Sequence, residues 1–383
     1  MGAVRLNDQF RFAASKGASP VARPRASADG RQPRATIESV AEHAHVSRQT
    51  VSNALNAPHR LRPDTLERVL RSISDLGYRP NHAARTLRIQ ATRLVACRLM
   101  PSNYGGTEGV LDRFLHVLCE ACRHRGYDVL SFAANSDEEE IAVYDDLLRR
   151  TAVDGFLIAG THFVDPRAAW LRDRGAPFVA FGRPWGLSRP GHSWVDVDGA
   201  QGIADAVEHL VGLGHRRIGF VGWPEGSGVG DDRRSGWLRQ ATARRLPVRG
   251  LDVRGEDGIA SGASLTERLL DAANPPTAIV CVSDAMAVGA LDVLADRGLQ
   301  PGRDVAVVGF DDSLVASVIR PGLTSVRQPL EQVAEKVVEL LLEHLSGTRT
   351  KPARVLLPPA LVIRGSSAAS PRARFIHRKK ENQ

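Results

Sequence analysis

Cysteine is nearly missing from this chain: Cys97, Cys119, Cys122 and Cys281 are the only four among 383 residues. That is too few for a disulfide framework at this length. It excludes the small cross-linked extracellular scaffolds and points to reduced thiols in a cytoplasmic protein. Long apolar runs are missing too. No stretch of about eighteen apolar residues occurs, so no membrane span is expected. The first residues carry charge without a continuous apolar segment and do not form a secretory signal. What remains is ordinary for a soluble chain with a core: 43 % hydrophobic and 25 % charged residues. The length suggests two or three compact units.

Signatures of catalysis are also lacking. No nucleophile–base pair, phosphate loop or metal cluster stands out, so an enzyme, the main rival from another class, is not expected. Gly226-Ser-Gly-Val-Gly230 has the wrong spacing for either nucleotide fingerprint, and no Lys-Ser/Thr follows it; it suits a flexible loop. Cys119-Glu-Ala-Cys122, with His116 and His124 nearby, lies within one helical stretch. A structural zinc gathers ligands from two elements, so no metal and no cofactor is expected. The acidic run Asp137–Glu140 opens a helix, where it favours the macrodipole.

Charge, by contrast, is abundant and unevenly placed. Residues 1–93 hold sixteen basic and seven acidic side chains, and residues 368–383 hold five and one. The whole chain is +8, so the intervening body is −5. A basic head on an acidic body is the footprint of a polyanion binder. Residues 1–33 show no apolar period and read as a disordered basic leader, or as a start codon placed too early. From Thr36 the pattern changes. Ile37, Val40, Ala41 and Ala44 form one helical face, and His45-Val46 a tight turn. Ser47 is a good N-cap for a second helix carrying Val51, Ala54 and Leu55, which Pro58 closes. Pro63 suits the first turn of a third helix, with Leu66, Val69, Leu70, Ile73 and Leu76 as its inner stripe and Gly77 as its cap.

Three short helices with a tight first turn are a helix-turn-helix, whose second helix enters the major groove. At its start stand Arg48, Gln49 and Asn53. Arg pairs bidentately with guanine, and Gln or Asn with adenine. Ser47, Thr50 and Ser52 are short enough to reach phosphates, and Thr36, Asn56 and Tyr78 are further candidate DNA contacts. The alternative is a generic three-helix bundle with solvated polar residues.

Beyond residue 93, apolar strands alternate with amphipathic helices. Strand-like runs are Leu94–Leu99, Val129–Ala133, Gly155–Ala159, Phe178–Phe181, Ile218–Val221, Ala278–Val282 and Val305–Phe310. Residues 110–125, 199–213, 261–273 and 284–298 read as helices between them. That alternation means βαβ units and parallel sheets, here in two similar lobes with a cleft between them. Ligands of such folds sit at the carboxyl ends of strands.

The run TIESVAEHAHVSRQTVSNALNAP and the following LRPDTLERVLRSISDLGYRPNHAARTLR resemble the opening of the lactose/galactose-repressor (LacI/GalR) family. The likeness continues through HLVGLGHRRIGFVG, VCVSDAMAVGALDVLADRG, DVAVVGFDD and PGLTSVRQPLEQVAEKVVELLLEHL, and so spans residues 36 to about 365. It implies an all-α DNA-binding head and an α/β, two-lobed, periplasmic-binding-protein-like effector domain. The expected boundaries are a head at 34–80, a hinge helix or linker at 81–93, an effector and dimerisation domain at 94–367 and a disordered basic tail at 368–383. Within the body, an N-lobe of about 94–194 plus 325–350 and a C-lobe of about 195–324 plus 351–367 are expected.

The resemblance implies that Arg48 and Gln49 are the main base readers. Asn53 departs from the Arg of many relatives, which leaves the operator sequence open. Asn81–Leu87 would form a hinge that folds on DNA, with Asn81 and Ala84 close to the minor groove. Leu87 would be an apolar wedge there, or else an ordinary interdomain contact. The resemblance implies an effector contact at Asp284, which as an alternative is only an N-cap, and another at Arg233. Arg183 and Asp312 follow strands. Trp185 and Trp223 suit stacking on a sugar face, although Trp223 also suits a hydrophobic lid. The implied function is a repressor of carbohydrate-utilisation genes, controlled by a mono- or oligosaccharide. It would act as a homodimer or tetramer on a pseudo-palindromic double-stranded DNA operator. A sugar-binding transport protein shares the body, but the basic helical head argues against it.

Overall fold

The computed structural model describes residues 35–78, 91–99, 109–187 and 191–368. The hinge candidates Asn81, Ala84 and Leu87, and both basic tails, lie outside the described residues. The chain divides into two units, Met1–Ile89 and Gln90–Gln383.

The first unit is the head, with α1 (Ile37–His43), α2 (Arg48–Asn56) and α3 (Pro63–Asp75). Thr36 caps α1 and Ser47 caps α2, each hydroxyl accepting a first-turn amide. The turn between these helices passes through His45 at φ 50°. Gly77 at φ 60° ends α3, with the Tyr78 amide donating to Ile73 O. Val40, Ala41, Ala44, Val51, Ala54 and Val69 form the buried core. Leu70, expected on the inner stripe of α3, is instead about half exposed. Val69 takes the inward position.

The second unit holds two six-stranded sheets. In the first, β1 (Leu94–Leu99), β2 (Asp128–Ala133), β3 (Gly155–Ile158), β4 (Phe178–Phe181), β5 (Trp194–Val197) and β11 (Arg354–Leu357) run parallel in the order β11-β5-β4-β3-β1-β2. In the second, β6 (Ile218–Gly222), β7 (Asp252–Arg254), β8 (Ala278–Cys281), β9 (Ala306–Phe310) and β10 (Thr324–Arg327) are parallel, and β12 (Ala360–Val362) joins β10 antiparallel. Both sheets change winding direction beside their first strand, which makes β1/β3 and β6/β8 the switch points where a doubly wound sheet opens a crevice.

Helices cover both faces. They are α4 (Val110–His124), α5 (Asp137–Arg149), α6 (Pro166–Asp173) and α12 (Leu330–Leu345) in the first lobe. The second has α7 (Gly199–Gly212), α8 (Val229–Ala243), α9 (Ile259–Leu270), α10 (Asp284–Asp296) and the short α11 (Leu314–Val318). Among the described residues no helix is long and apolar enough to cross a membrane.

The lobes exchange chain three times, and this corrects the expected boundary. Strand β10, split at residue 325 by that boundary, belongs whole to the second sheet, whereas β11 belongs to the first. β5 likewise crosses the expected limit at residue 194. The reason is pairing: β11 lies in register along β5, with Arg354 opposite Trp194, while β10 is bonded to β9. The acidic run at α5 also differs from expectation. Glu140 is fully buried, bonded to Tyr144 and within 2.9 Å of both Arg98 and Arg167, so it anchors a buried ion network as well as a helix start.

Candidate functional sites

On the head, α2 presents Arg48, Gln49 and Asn56 to solvent, with Thr50, Ser52 and Asn53 half-buried behind them. Arg48 Nη1 donates to Glu38 Oε1 at 3.0 Å across the gap between α1 and α2. That bond holds the Glu38 carboxyl below its ordinary range. Because the pair is exposed it contributes little, and Arg48 can exchange Glu38 for a base edge at small cost. Gln49 Nε2 donates to Asn53 Oδ1 at 3.1 Å, one turn along, and Asn56 Nδ2 to Ser52 O at 2.8 Å. The Ser47 and Thr50 hydroxyls lie 2.9 Å apart at the helix start. Thr36 caps α1, and Tyr78 packs against the core. Thus the residues expected to read bases share one face, and Thr36 and Tyr78 sit in structural positions.

In the body, a cavity of about 760 Å³ lies between the lobes at both switch points. Of the six expected effector residues, Arg183, Trp185, Trp223, Arg233 and Asp284 line it. Arg183, just past β4, donates through Nε to Asp196 Oδ2 at 2.7 Å and through Nη2 to Asp232 Oδ2 at 2.6 Å. The second bond crosses from one lobe to the other. Its guanidinium also stacks 4.5 Å from the Trp185 ring. Arg233 is buried in α8, 3.6 Å over the Phe310 ring and 5.3 Å from that of Trp223, and donates to Val282 O at 2.6 Å. Burial among rings lowers its pKa. Asp284 opens α10, but Ser283 supplies the cap. The Asp284 carboxylate instead accepts from the Ser313 amide at 2.7 Å and the Ser325 hydroxyl at 2.6 Å. Burial pushes its pKa up to about 6.

Asp312 does not line the cavity. Its carboxylate meets Arg327 Nε at 2.6 Å and Arg364 Nη2 at 2.7 Å, behind the β9 end. Asp311, one residue earlier, takes the cleft position. It lies 3.6 Å from Arg233 Nη2 and accepts from Gln328 Nε2 at 2.7 Å. The sequence reading also missed Asp196, Asp232, Asp257 and Arg113. The strand-end rule is the signal that could have found Asp311 and Asp196, the latter within a strand too short to stand out. Arg113 had no such signal: it sits on α4 and reaches the Asp311 and Asp312 carbonyls of the other lobe at 3.3 and 3.2 Å. The loop at 226–230 borders the cleft through Ser227 and Val229.

A cluster of Asp137, His162 and Asp165 near the cleft has ligand types suited to a metal. Its carboxylates are already committed. Arg167 pairs with Asp165 at 2.6 Å and lies 3.5 Å from Asp137, which also bonds His162. A cation would have to displace a buried guanidinium.

A helix-turn-helix and a two-lobed cleft within one chain define a DNA-binding transcription regulator with a ligand-binding body. Comparison with known proteins specifies the family. Residues 36–81 match the family model for bacterial regulatory proteins of the lacI family, and residues 207–367 that for a periplasmic binding protein-like domain. The chain is 35 % identical to the transcriptional regulator CelR of Thermobifida fusca, covering 88 % of this chain and 99 % of that protein. It is 29 % identical to the repressor PurR of Yersinia pestis, covering 88 % of this chain and 98 % of that protein. Among solved structures, a CelR–cellobiose complex matches with 32 % identity and a TM-score of 0.66, covering 87 % of this chain and all of that one. The lac repressor dimer bound to operator and the anti-inducer ONPF matches with 26 % identity and a TM-score of 0.75, covering 88 % of this chain and all of that one. The chain belongs to the LacI family of bacterial transcription regulators, DNA-binding proteins rather than enzymes.

Proposed function

We propose that this protein represses carbohydrate-utilisation genes in the cytoplasm. It binds a pseudo-palindromic operator as a homodimer, and a mono- or oligosaccharide in the cleft changes that affinity. Arg48 and Gln49 read base edges, with Asn53 braced against Gln49. Ser47, Thr50 and Ser52 approach phosphates, and Leu87 with Asn81 and Ala84 forms the minor-groove hinge. The observation that carries the effector reading is the cavity at both switch points. It is lined by two indoles, Trp185 and Trp223, and by buried Arg233 and Asp284, groups that stack on a sugar face and hold vicinal hydroxyls. The CelR complex with cellobiose supports that class of ligand.

The test is fluorescence anisotropy on a palindromic operator fragment and a random duplex across a salt series. Specific binding must fall with salt, as phosphate contacts require, and still exceed random binding by about a thousandfold. Leu87→Ala must weaken operator binding far more than random binding; equal losses on the two DNAs would refute the hinge role. Addition of a sugar must change operator affinity, and operator must change sugar affinity by the same factor.

A further inference from the structure

The cleft is unbalanced in charge. Six carboxylates line it, from Asp112, Asp196, Asp232, Asp257, Asp284 and Asp311, against the three guanidinium groups of Arg113, Arg183 and Arg233. Each guanidinium is occupied by protein. Arg183 spans Asp196 and Asp232; Arg233 donates to Val282 O with Asp311 beside it; Arg113 donates to two carbonyls. Among the described residues no ion pair neutralises Asp112, Asp257 or Asp284. Asp257 accepts a hydrogen bond from the Ser283 hydroxyl at 2.6 Å. Among the described residues, an anion entering here would meet no guanidinium that lacks a protein partner and would face surplus negative charge in a partly dry cavity, where like charges repel more strongly than in water.

A second observation specifies the polar groups that a ligand must offer. Four buried polar atoms of residues that line the cavity have no protein hydrogen-bond partner: Trp185 Nε1, Trp223 Nε1, Arg233 Nε and Ser227 Oγ. The three nitrogens only donate, so each calls for an acceptor oxygen. The carboxylates only accept while ionised, so they call for hydroxyl protons. Hydroxyl and ring oxygens of one molecule meet both demands, and leaving such buried groups unmatched is costly.

We infer that the effector is a non-ionic, polyhydroxylated glycoside, and that the cleft excludes sugar phosphates and sugar acids. This rests on the effector-binding reading of the cleft proposed above. Asp257 is the residue that enforces the exclusion. It is exposed to the cavity, and its amide counterpart keeps the bond from Ser283 while removing one charge.

The test uses the full-length protein in thermal shift and isothermal titration against cellobiose, glucose, glucose 6-phosphate and glucuronate, each also added to operator-bound protein. An uncharged sugar is expected to raise the melting temperature saturably, and its anionic counterparts to bind about a hundredfold more weakly. In Asp257→Asn that ratio should narrow about tenfold while the unliganded melting temperature stays put. An anionic sugar that binds as tightly as its uncharged counterpart overturns the inference, as does a ratio unmoved in Asp257→Asn. If the anionic sugar also alters operator affinity, the sugar-controlled reading survives and only the charge selection fails. If no sugar of either charge shifts the melting temperature or operator affinity, the sugar reading itself falls, and the inference with it.

Discussion

At the end of β9 two adjacent aspartates take different roles: Asp311 lines the cleft, and Asp312 pairs with Arg327 and Arg364 behind it. Both Asp311 and Asp312 follow β9, and the strand-end rule does not choose between them. The backbone does: Asp311 has φ 107° and Asp312 φ 47°, so their side chains leave the chain in different directions. A positive φ on a non-glycine residue is not legible in a single sequence, whereas Asp284 and Arg233 were, since the motifs around them carry over. The environment of Asp311 leads to a prediction. Burial, with Asp284 and Asp257 facing it and with Arg233 and the Gln328 hydrogen bond opposing, pushes its pKa up to about 7. An unfolded Asp titrates near 3.9. Between those values the folded state binds the extra proton, so this group's contribution to stability falls as pH rises through about 7 and is recovered on acidification. Asp284, raised to about 6, acts in the same sense. His192 and His215, buried and pushed down to about 4, act oppositely below their ordinary range. The difference between wild type and Asp311→Asn isolates the effect of this carboxyl group. The melting temperature of the variant relative to wild type should rise from pH 6 to pH 8, and parallel curves would sink the assignment.

At the scale of elements, most of the legible strands were buried on both faces; β1 and β2, also legible, are partly exposed. β3, β4, β8 and β9 are continuous apolar runs with every residue buried. The missed strands β5, β7, β10, β11 and β12 are three or four residues long, and all but β12 mix polar residues with apolar ones. Three of them, β7, β11 and β12, are edge strands, and β11 is placed by pairing with β5, distant in the chain. Helix packing was equally invisible. Gly262 on α9 and Gly289 on α10 let the helix backbones touch. A Cβ on Gly289 would stand 2.0 Å from Ile259 O and 2.6 Å from the Ala263 amide nitrogen. These are main-chain atoms and cannot turn aside. Gly289→Ala therefore sets two effects of opposite sign against each other. Helix propensity favours alanine by about 1 kcal/mol, and overpacking costs about 1–3 kcal/mol, here at the upper end because backbone must move. Calorimetry should show the melting temperature of the body falling by several degrees. A rise would mean that the helices separate freely and that the close approach is unimportant.

For the whole molecule, three chain crossings join two sheets on either side of a cleft, and the contacts among the described residues that reach across it include three. Arg183 reaches Asp232, Arg113 reaches the Asp311 and Asp312 carbonyls, and the Trp185 ring seats on Gly228. The third can be altered at a residue outside the cavity lining, because Gly228 is not part of it, although the Trp185 ring that it seats is. Its φ of 68° suits glycine, and a Cβ there would lie 2.6 Å from the Trp185 ring. The glycine run at 226–230, readable from sequence only as a loop, thus includes the seat for an indole from the opposite lobe. Gly228→Ala should hold the lobes apart. If effector binds the closed arrangement, its apparent dissociation constant rises by the inverse of the fraction still able to close, about tenfold if one molecule in ten does so. The effector concentration for half-maximal change in operator affinity should rise by the same factor. The maximal change at saturation should persist, since ligand contacts remain and mass action recovers closure. Small-angle scattering of the unliganded variant should give a larger radius of gyration than wild type. An unchanged radius with unchanged effector response would show that Trp185 finds another seat and that the other two contacts alone govern closure.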